Sequence, residues 1–207
     1  MAFAPALAWA GAQQYEPLAT SVQAAMHSAV ADRASPRLVF ASPDEAMEWL
    51  DEMSIRLAKR IPDQQARLDL LTTVQYEAKR AGLDPQLVLG VIEVESAFRK
   101  YAVSRAGARG YMQVMPFWAE LIGTAEHNLF HLRTNLRYGC VILRHYLDIE
   151  RGDLSRALAR YNGSLGKKSS YAAKVMKASQ TRWAWPAPQV TRAAYPKRPT
   201  EYVGDPE

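Results

Sequence analysis

Hydrophobic positions along the chain recur at spacings of three and four, and the breaks between runs carry helix-capping residues. Ser42-Pro43-Asp44-Glu45 has the form of a helix start, with Ser42 as cap, Pro43 at the first position and Glu45 closing a capping box. Ala46, Trp49, Leu50, Met53 and Leu57 follow on one face. A second helix is predicted from Asp63, with Leu68, Leu71, Val74 and Ala78, stopping at Gly82. Asp84-Pro85 opens a third, carrying Leu87, Val88, Val91, Ile92 and Phe98. The pattern predicts a fourth over Asn135–Glu150 with Leu136, Cys140, Leu143 and Leu147. A fifth runs from its cap Asp153 to Tyr161, and a sixth over Ser169–Ser179 with Tyr171, Val175 and Met176. Period-two alternation is never sustained, and Leu38-Val39-Phe40 is too short to change an all-α reading.

Both ends depart from this pattern. Residues 1–34 hold 12 alanines, and Ala2–Ala12 is apolar and closes on small residues, in the manner of a secretion signal cut after Ala10 or Ala12. No Lys or Arg precedes it and Pro5 interrupts it, so a disordered Ala-rich leader is the competing reading. The last 25 residues, from Trp183, contain five prolines and read as a flexible tail. Trp183, Trp185 and Tyr195 are available to pin its first part. The expected organisation is a leader over 1–34, a helical extension over 35–82 packing on the core, a catalytic unit over 83–180 and a Pro-rich tail over 181–207.

Composition narrows the function classes. With 207 residues, 48% hydrophobic and 23% charged, the chain is long enough for one well-formed core. No run of 18 apolar residues occurs, so no integral membrane segment is expected. The single Cys140 excludes an intrachain disulfide framework and a four-thiolate zinc site, and lies on an apolar stripe as an inert thiol. The net charge is +5, and Asp84–Gln180 alone carries 14 Lys+Arg against 8 Asp+Glu. An anionic partner is therefore expected at the middle of the chain. His127 and His131 are four apart but have no third ligand, so no metal is expected there. Lys167-Lys168 with Arg151, Arg156 and Arg160 is basic, yet no nucleic-acid motif accompanies it and no nucleic-acid partner is expected.

One residue is out of place physically. Glu95 shares a helix face with Val91 and Leu87, and that face points at the core. Burial raises a carboxyl pKa and makes a general acid at neutral pH. The competing reading is a Glu near a helix C-terminus paired with Arg99 or Lys100. A glycine-punctuated loop follows, Ala102-Val103-Ser104-Arg105-Ala106-Gly107-Ala108-Arg109-Gly110-Tyr111-Met112-Gln113-Val114-Met115-Pro116. Gln113 offers donors and an acceptor suited to sugar hydroxyls and acetamides. Farther on stands Arg160-Tyr161-Asn162-Gly163-Ser164.

Glu-Ser-x-Phe, then Ser-x-x-Gly-Ala-x-Gly-x-Met-Gln-x-Met-Pro, then Tyr-Asn, resembles the motif set of the soluble lytic transglycosylases, over about Leu83–Met176. The resemblance implies a lysozyme-like helical domain that cleaves peptidoglycan between N-acetylmuramic acid and N-acetylglucosamine without water, leaving 1,6-anhydromuramyl ends. It implies no metal and no cofactor. Carried over residue by residue, Glu95 is the acid/base and Ser104 lies near the N-acetyl group. Gln113 and Met115 line the glycan groove. Tyr161 and Asn162 close the site, with the tyrosine hydroxyl near the carboxylate, and Tyr171 is a later aromatic contact. Gly107 and Gly110 shape the loop. Tyr111 in place of leucine, Arg160 before the tyrosine and Gly163-Ser164 after Asn162 depart from the pattern, adding bulk and charge near the groove.

No second acid is evident, since Glu93 falls on the other side of the helix and Glu120, Glu126 and Asp148 lie outside the motif blocks. In this family the substrate's own N-acetyl oxygen takes the place of a second carboxylate. The expected partner is the peptidoglycan glycan strand, acted on by a monomer in the bacterial periplasm or envelope. Envelope or secretion-system proteins are further candidates as partners. A goose-type-lysozyme-like hydrolase and a non-catalytic wall-binding module are the alternatives.

Overall fold

The computed structural model describes residues 13–185. The Ala2–Ala12 stretch read as a secretion signal, and the tail from Pro186 with Tyr195, lie outside the described residues. Four helices begin where a side chain caps them. Ser42 Oγ accepts from the Glu45 N–H (3.2 Å), Asp63 from Ala66 (2.6 Å), Asp84 from Gln86 (2.9 Å) and Asp153 from Arg156 (3.0 Å). Each satisfies one of the N–H groups that a helix start leaves without a partner, a contribution of about 1 kcal/mol.

Eight helices are present among the described residues: α1 (Thr20–Ala31), α2 (Pro43–Leu57), α3 (Gln64–Arg80), α4 (Pro85–Ser96), α5 (Phe117–Ile122), α6 (Leu132–Ile149), α7 (Leu154–Tyr161) and α8 (Tyr171–Thr181). No strand occurs among those residues, and the only β pairing is two isolated bridges, Val103–Arg109 and Arg109–Val114. The all-α expectation holds. Two helices were not visible in the pattern. α5 is too short to show periodicity, and α1 is alanine-rich and starts at Ala19 without a side-chain cap. α1 falls inside the stretch read as a leader, yet it packs against α5 and α6. Met26 and Val30 are buried there, at about 1.5–3 kcal/mol each. Gln23 Nε2 donates to the Leu121 carbonyl (2.7 Å), and Arg137 donates to the carbonyls of Val30 (3.3 Å) and Asp32.

α4 is the central element. Leu87, Val88, Leu89, Val91 and Ile92 are all at most 2% exposed, the all-round burial of a core helix. α3 packs on one part of it and α8 on another. The approach of α8 depends on Gly90, because a Cβ there would stand 2.9 Å from the Val175 carbonyl oxygen and 3.2 Å from the Ser179 nitrogen. α3 is joined to α6 by a buried ion cluster. Glu77, 1% exposed, takes Arg137 at 2.9 and 3.1 Å and Arg80 at 3.0 Å, with Arg133 at 3.6 Å. A buried carboxylate is stable only when paired in this way. Leu38-Val39-Phe40 forms no strand, and the Gln75 side chain satisfies Val39, accepting from its N–H at 2.9 Å and donating to its carbonyl.

Candidate active site

α4 ends in a left-handed turn. Ala97 has φ +50° and Phe98 φ +63°, a conformation that costs a non-glycine residue about 1–2 kcal/mol. Packing holds it. Phe98 is 4% exposed with its ring 5.1 Å from Trp183, and Trp183 Nε1 donates to Glu93 Oε2 at 2.7 Å. Glu93 also takes Arg60 and Arg182, both at 2.8 Å, so the acid beside Glu95 in sequence fastens the C-terminal segment onto α4.

Glu95 lies one turn before this clamp and is 3% exposed. The Tyr171 hydroxyl of α8 donates to Glu95 Oε1 at 2.6 Å. Glu95 Oε2 is buried with no hydrogen-bond partner. Burial pushes the carboxyl from 4.5 up to about 8, against the opposite pull of the Tyr171 bond, and no charged neighbour contributes. Burial thus favours the neutral acid near pH 7. Oε1 carries the Tyr171 hydrogen bond, and Oε2 is the carboxyl oxygen left without a protein partner. Arg99 and Lys100, the candidate partners in a salt-bridge reading, do not reach it. Arg99 Nε donates to the Ser96 carbonyl (3.0 Å), and the Lys100 ammonium stands over the Tyr101 ring (5.3 Å).

Tyr171 thus holds the Glu95 carboxyl through Oε1 and leaves Oε2 free. Its own hydroxyl stays protonated, since burial and the Glu95 carboxyl push it well above 10. Removing that donor in Tyr171→Phe frees the carboxyl from the one interaction that lowers its pKa. The basic limb of the pH–kcat profile is then expected to move upward, with KM little changed. A profile that keeps its wild-type limb while only the rate falls would argue against this role.

The other expected site residues gather around the loop 102–115. The Tyr161 hydroxyl donates to the Met112 carbonyl (2.7 Å) rather than to Glu95, although Glu95 is close enough to push it further above 10. Asn162 is 7% exposed and its Nδ2 is buried without a partner. Gln113, φ +50°, spends both amide hydrogens on the carbonyls of Ala102 (3.1 Å) and Gly110 (3.0 Å). Ser104 Oγ accepts from the Ala108 N–H (3.1 Å), closing the turn around Gly107. Met115 is half-buried against the core. Gly110 is required by space, as a Cβ would lie 2.7 Å from the Leu129 carbonyl oxygen. Asn135 locks the same loop, accepting from the Met112 N–H (2.8 Å) and donating to the carbonyls of Arg109 and Leu129 (2.8 Å each). Among the described residues no hydrogen bond joins Ser104 or Gln113 to Glu95.

The departures from the motif resolve differently from expectation. Arg160 adds no free charge, because its guanidinium is held by Glu150 (2.6 and 2.9 Å) and by Glu16 (2.9 and 3.2 Å). Tyr111 joins the core at 8% exposure. The segment from Gln13 to Glu16 crosses the loop, a contact without any local pattern to announce it. Gln13 is 3% exposed, donates to the Gln113 carbonyl (3.1 Å) and accepts from the Met115 N–H (3.0 Å). The Tyr15 ring meets Phe117 edge-on at 5.7 Å. His127 is occupied with the Tyr138 hydroxyl (2.6 Å), and no three His, Cys, Asp or Glu among the described residues are arranged to hold a metal ion.

Among the described residues the domain is all-helical, and its buried Glu95 carboxyl is bonded to one tyrosine and to no cation. The sequence model described as the Transglycosylase SLT domain matches residues 72–184, more than half of the chain, and the chain belongs to that family. The match begins inside α3. The chain is 35% identical to a transglycosylase of Enterobacteria phage PRD1 over 128 residues, covering 59% of this chain and 47% of that protein. It is 59% identical to membrane-bound lytic murein transglycosylase C of Actinobacillus pleuropneumoniae (serotype 5b) over 46 residues, covering 22% of this chain and 13% of that protein. A solved structure of an inactive mutant of lytic transglycosylase Slt from Pseudomonas aeruginosa overlaps 66% of this chain and 26% of its own, at 21% identity and a TM-score of 0.42. The chain thus spans less than half the length of these relatives.

Proposed function

We propose that the chain is a lytic transglycosylase of peptidoglycan, cutting the β-1,4 bond between N-acetylmuramic acid and N-acetylglucosamine and leaving a 1,6-anhydromuramyl end. The observation that carries this is the setting of Glu95: buried, bonded through Oε1 to Tyr171 alone, with Oε2 free of any protein partner and burial raising its pKa. Membership in the transglycosylase family and the names of the phage and murein relatives support the reading.

Glu95 Oε2 gives its proton to the glycosidic oxygen as the bond to the anomeric carbon breaks. The positive charge that develops on that carbon has no second carboxylate to meet it, unlike the two-acid glycosidases. The substrate's N-acetyl oxygen takes that role. Glu95, now ionised, accepts the proton of the C6 hydroxyl as its oxygen bonds to the anomeric carbon. The attack is intramolecular and draws its rate from proximity. The Tyr171 bond to Oε1 persists and supports the carboxylate while it is charged. Gln113 and Tyr161, through the carbonyls of Ala102, Gly110 and Met112, shape the loop 102–115 that with Ser104, Met115 and Asn162 is proposed to border the glycan path. Because the substrate lies in the bacterial cell envelope, that is where the protein acts.

Digestion of purified peptidoglycan with product masses read by mass spectrometry tests this. Muropeptides lighter by one water than their reducing counterparts are expected. Reducing-end products would assign a hydrolase instead, and no release by folded protein would assign a binding module.

A further inference from the structure

Between Glu95 and Glu120 the chain contains no acidic residue and four cations, Arg99, Lys100, Arg105 and Arg109. All four are exposed. Most arginines elsewhere among the described residues, from Arg56 to Arg182, are paired with carboxylates. Arg99, Arg105 and Arg109 have no such partner among the described residues, and they fall in one loop directly after the proposed acid.

The same loop exposes large apolar groups. Exposure alternates from residue 101 to 105, with Tyr101, Val103 and Arg105 exposed and Ala102 and Ser104 half-buried, as an extended segment presents them. Tyr101 is 71% exposed and Val103 62%. The Tyr101 ring lies 5.9 Å from that of Phe130. The Lys100 ammonium stands 5.3 Å from the first ring and the Arg109 guanidinium 6.0 Å from the second. An aromatic pair therefore carries a cation over each ring, and Arg105 is a further exposed cation of the same loop.

This face is held in register with the site. The Ala102 carbonyl, next to Tyr101, accepts from the Gly110 N–H (2.9 Å) and from Gln113 Nε2 (3.1 Å). Val103 pairs with Arg109, and Arg109 with Val114. The backbone of this face cannot shift without disturbing Gln113, so little backbone ordering is needed to bind a ligand.

We infer that this face docks the acidic peptide stems carried by the glycan strand, so that the chain binds stem-bearing strands more tightly than bare glycan. The inference rests on the substrate proposed above. Charge complementarity supports it: stems present carboxylates at regular intervals beside the sugar chain, and the loop supplies uncompensated cations beside the proposed groove. The apolar faces of Tyr101, Val103 and Phe130 meet the aliphatic parts of the stems.

The test uses the full chain carrying Glu95→Gln, so that the polymer is not consumed. Binding is measured by co-sedimentation with purified sacculi, either intact or stripped of peptides by an amidase. Intact sacculi are expected to bind about three- to tenfold more tightly, consistent with a few exposed charge pairs. Adding Arg105→Ser and Arg109→Ser should abolish the difference, as should raised salt. Tyr101→Ala should reduce it. Melting temperatures of the variants establish that they are folded. Equal binding of the parent to both materials overturns the inference, and so does an equal loss on both in the arginine variant. Anhydro-end release from stripped strands by wild type reports on the proposed activity separately, so the two failures are distinguishable.

Discussion

Glu95→Gln is expected to lose glycan cleavage by about a thousandfold or more while making the protein harder to unfold at neutral and alkaline pH. The first half follows from Glu95 being the single acid and base, a role of order 10²–10⁴ in rate when it has to act only once. The second half follows from the cost of burying it. The unfolded carboxyl loses its proton near 4.5, whereas the folded one keeps it up to about 8. Below pH 4.5 both states are protonated and the burial of Glu95 carries no ionisation cost. As pH rises from 4.5 to 8 the unfolded state ionises and the folded state does not, so the contribution of Glu95 to stability is progressively lost. At about 1.4 kcal/mol per pKa unit, the loss across that window is on the order of a few kcal/mol. Glutamine has the same shape, keeps an acceptor for the Tyr171 hydroxyl and does not ionise. Thermal melts of wild type and variant from pH 4.5 to 8 check this. The melting temperatures should lie close together at the acid end and diverge by several degrees at the alkaline end. A gap that stays constant with pH would mean that Glu95 is not neutral in the folded state. A variant that still cleaves would mean that another group supplies the proton.

The same periodic argument that singled out Glu95 applies to Glu77, which lies three residues after Val74 and seven after Leu70 on α3. Both are buried carboxylates on apolar faces. What separates them is their partners, and partners are not visible in spacing. Three arginines converge on Glu77, two of them from α6. Glu95 receives only Tyr171, 76 residues later. Spacing therefore locates a carboxylate that burial will perturb, but its role depends on which distant helix folds against it. The motif resemblance brought Tyr171 into the site as an aromatic contact, and its bond to the carboxylate emerges only from the packing of α8 on α4. Helix starts were legible wherever Ser42, Asp63, Asp84 or Asp153 caps them. They were not where the chain enters a helix through Ala19, Pro116 or His131 without a side-chain cap bond. α6 accordingly begins at Leu132 rather than at Asn135. The segment from Gln13 to Glu16 had no local signal at all, since each of its contacts is made with residues about a hundred or more positions away.

The α4–α8 contact is also where a single methyl group should have a large effect. In Gly90→Ala the new Cβ would stand 2.9 Å from the Val175 carbonyl oxygen and 3.2 Å from the Ser179 nitrogen. Alanine gains about 1 kcal/mol over glycine inside a helix. That gain is opposed by overpacking, which costs about 1–3 kcal/mol when the neighbour cannot move aside. Here the neighbour is helix backbone, which has no alternative rotamer, so α8 as a whole has to withdraw from α4. Tyr171 lies one turn before Val175 on the same helix, and its hydroxyl meets Glu95 Oε1 at 2.6 Å. A withdrawal of a few tenths of an ångström lengthens that bond and admits solvent to the carboxyl. The expected result is a melting temperature lower by a few degrees, together with a fall in kcat beyond what unfolding explains when assayed well below the melting transition. KM should change less, because the loop 102–115 is anchored through Asn135 of α6 and not through α8. A Gly90→Ala protein with the stability and kcat of wild type would show that the close approach of α8 is not what holds Tyr171 on Glu95.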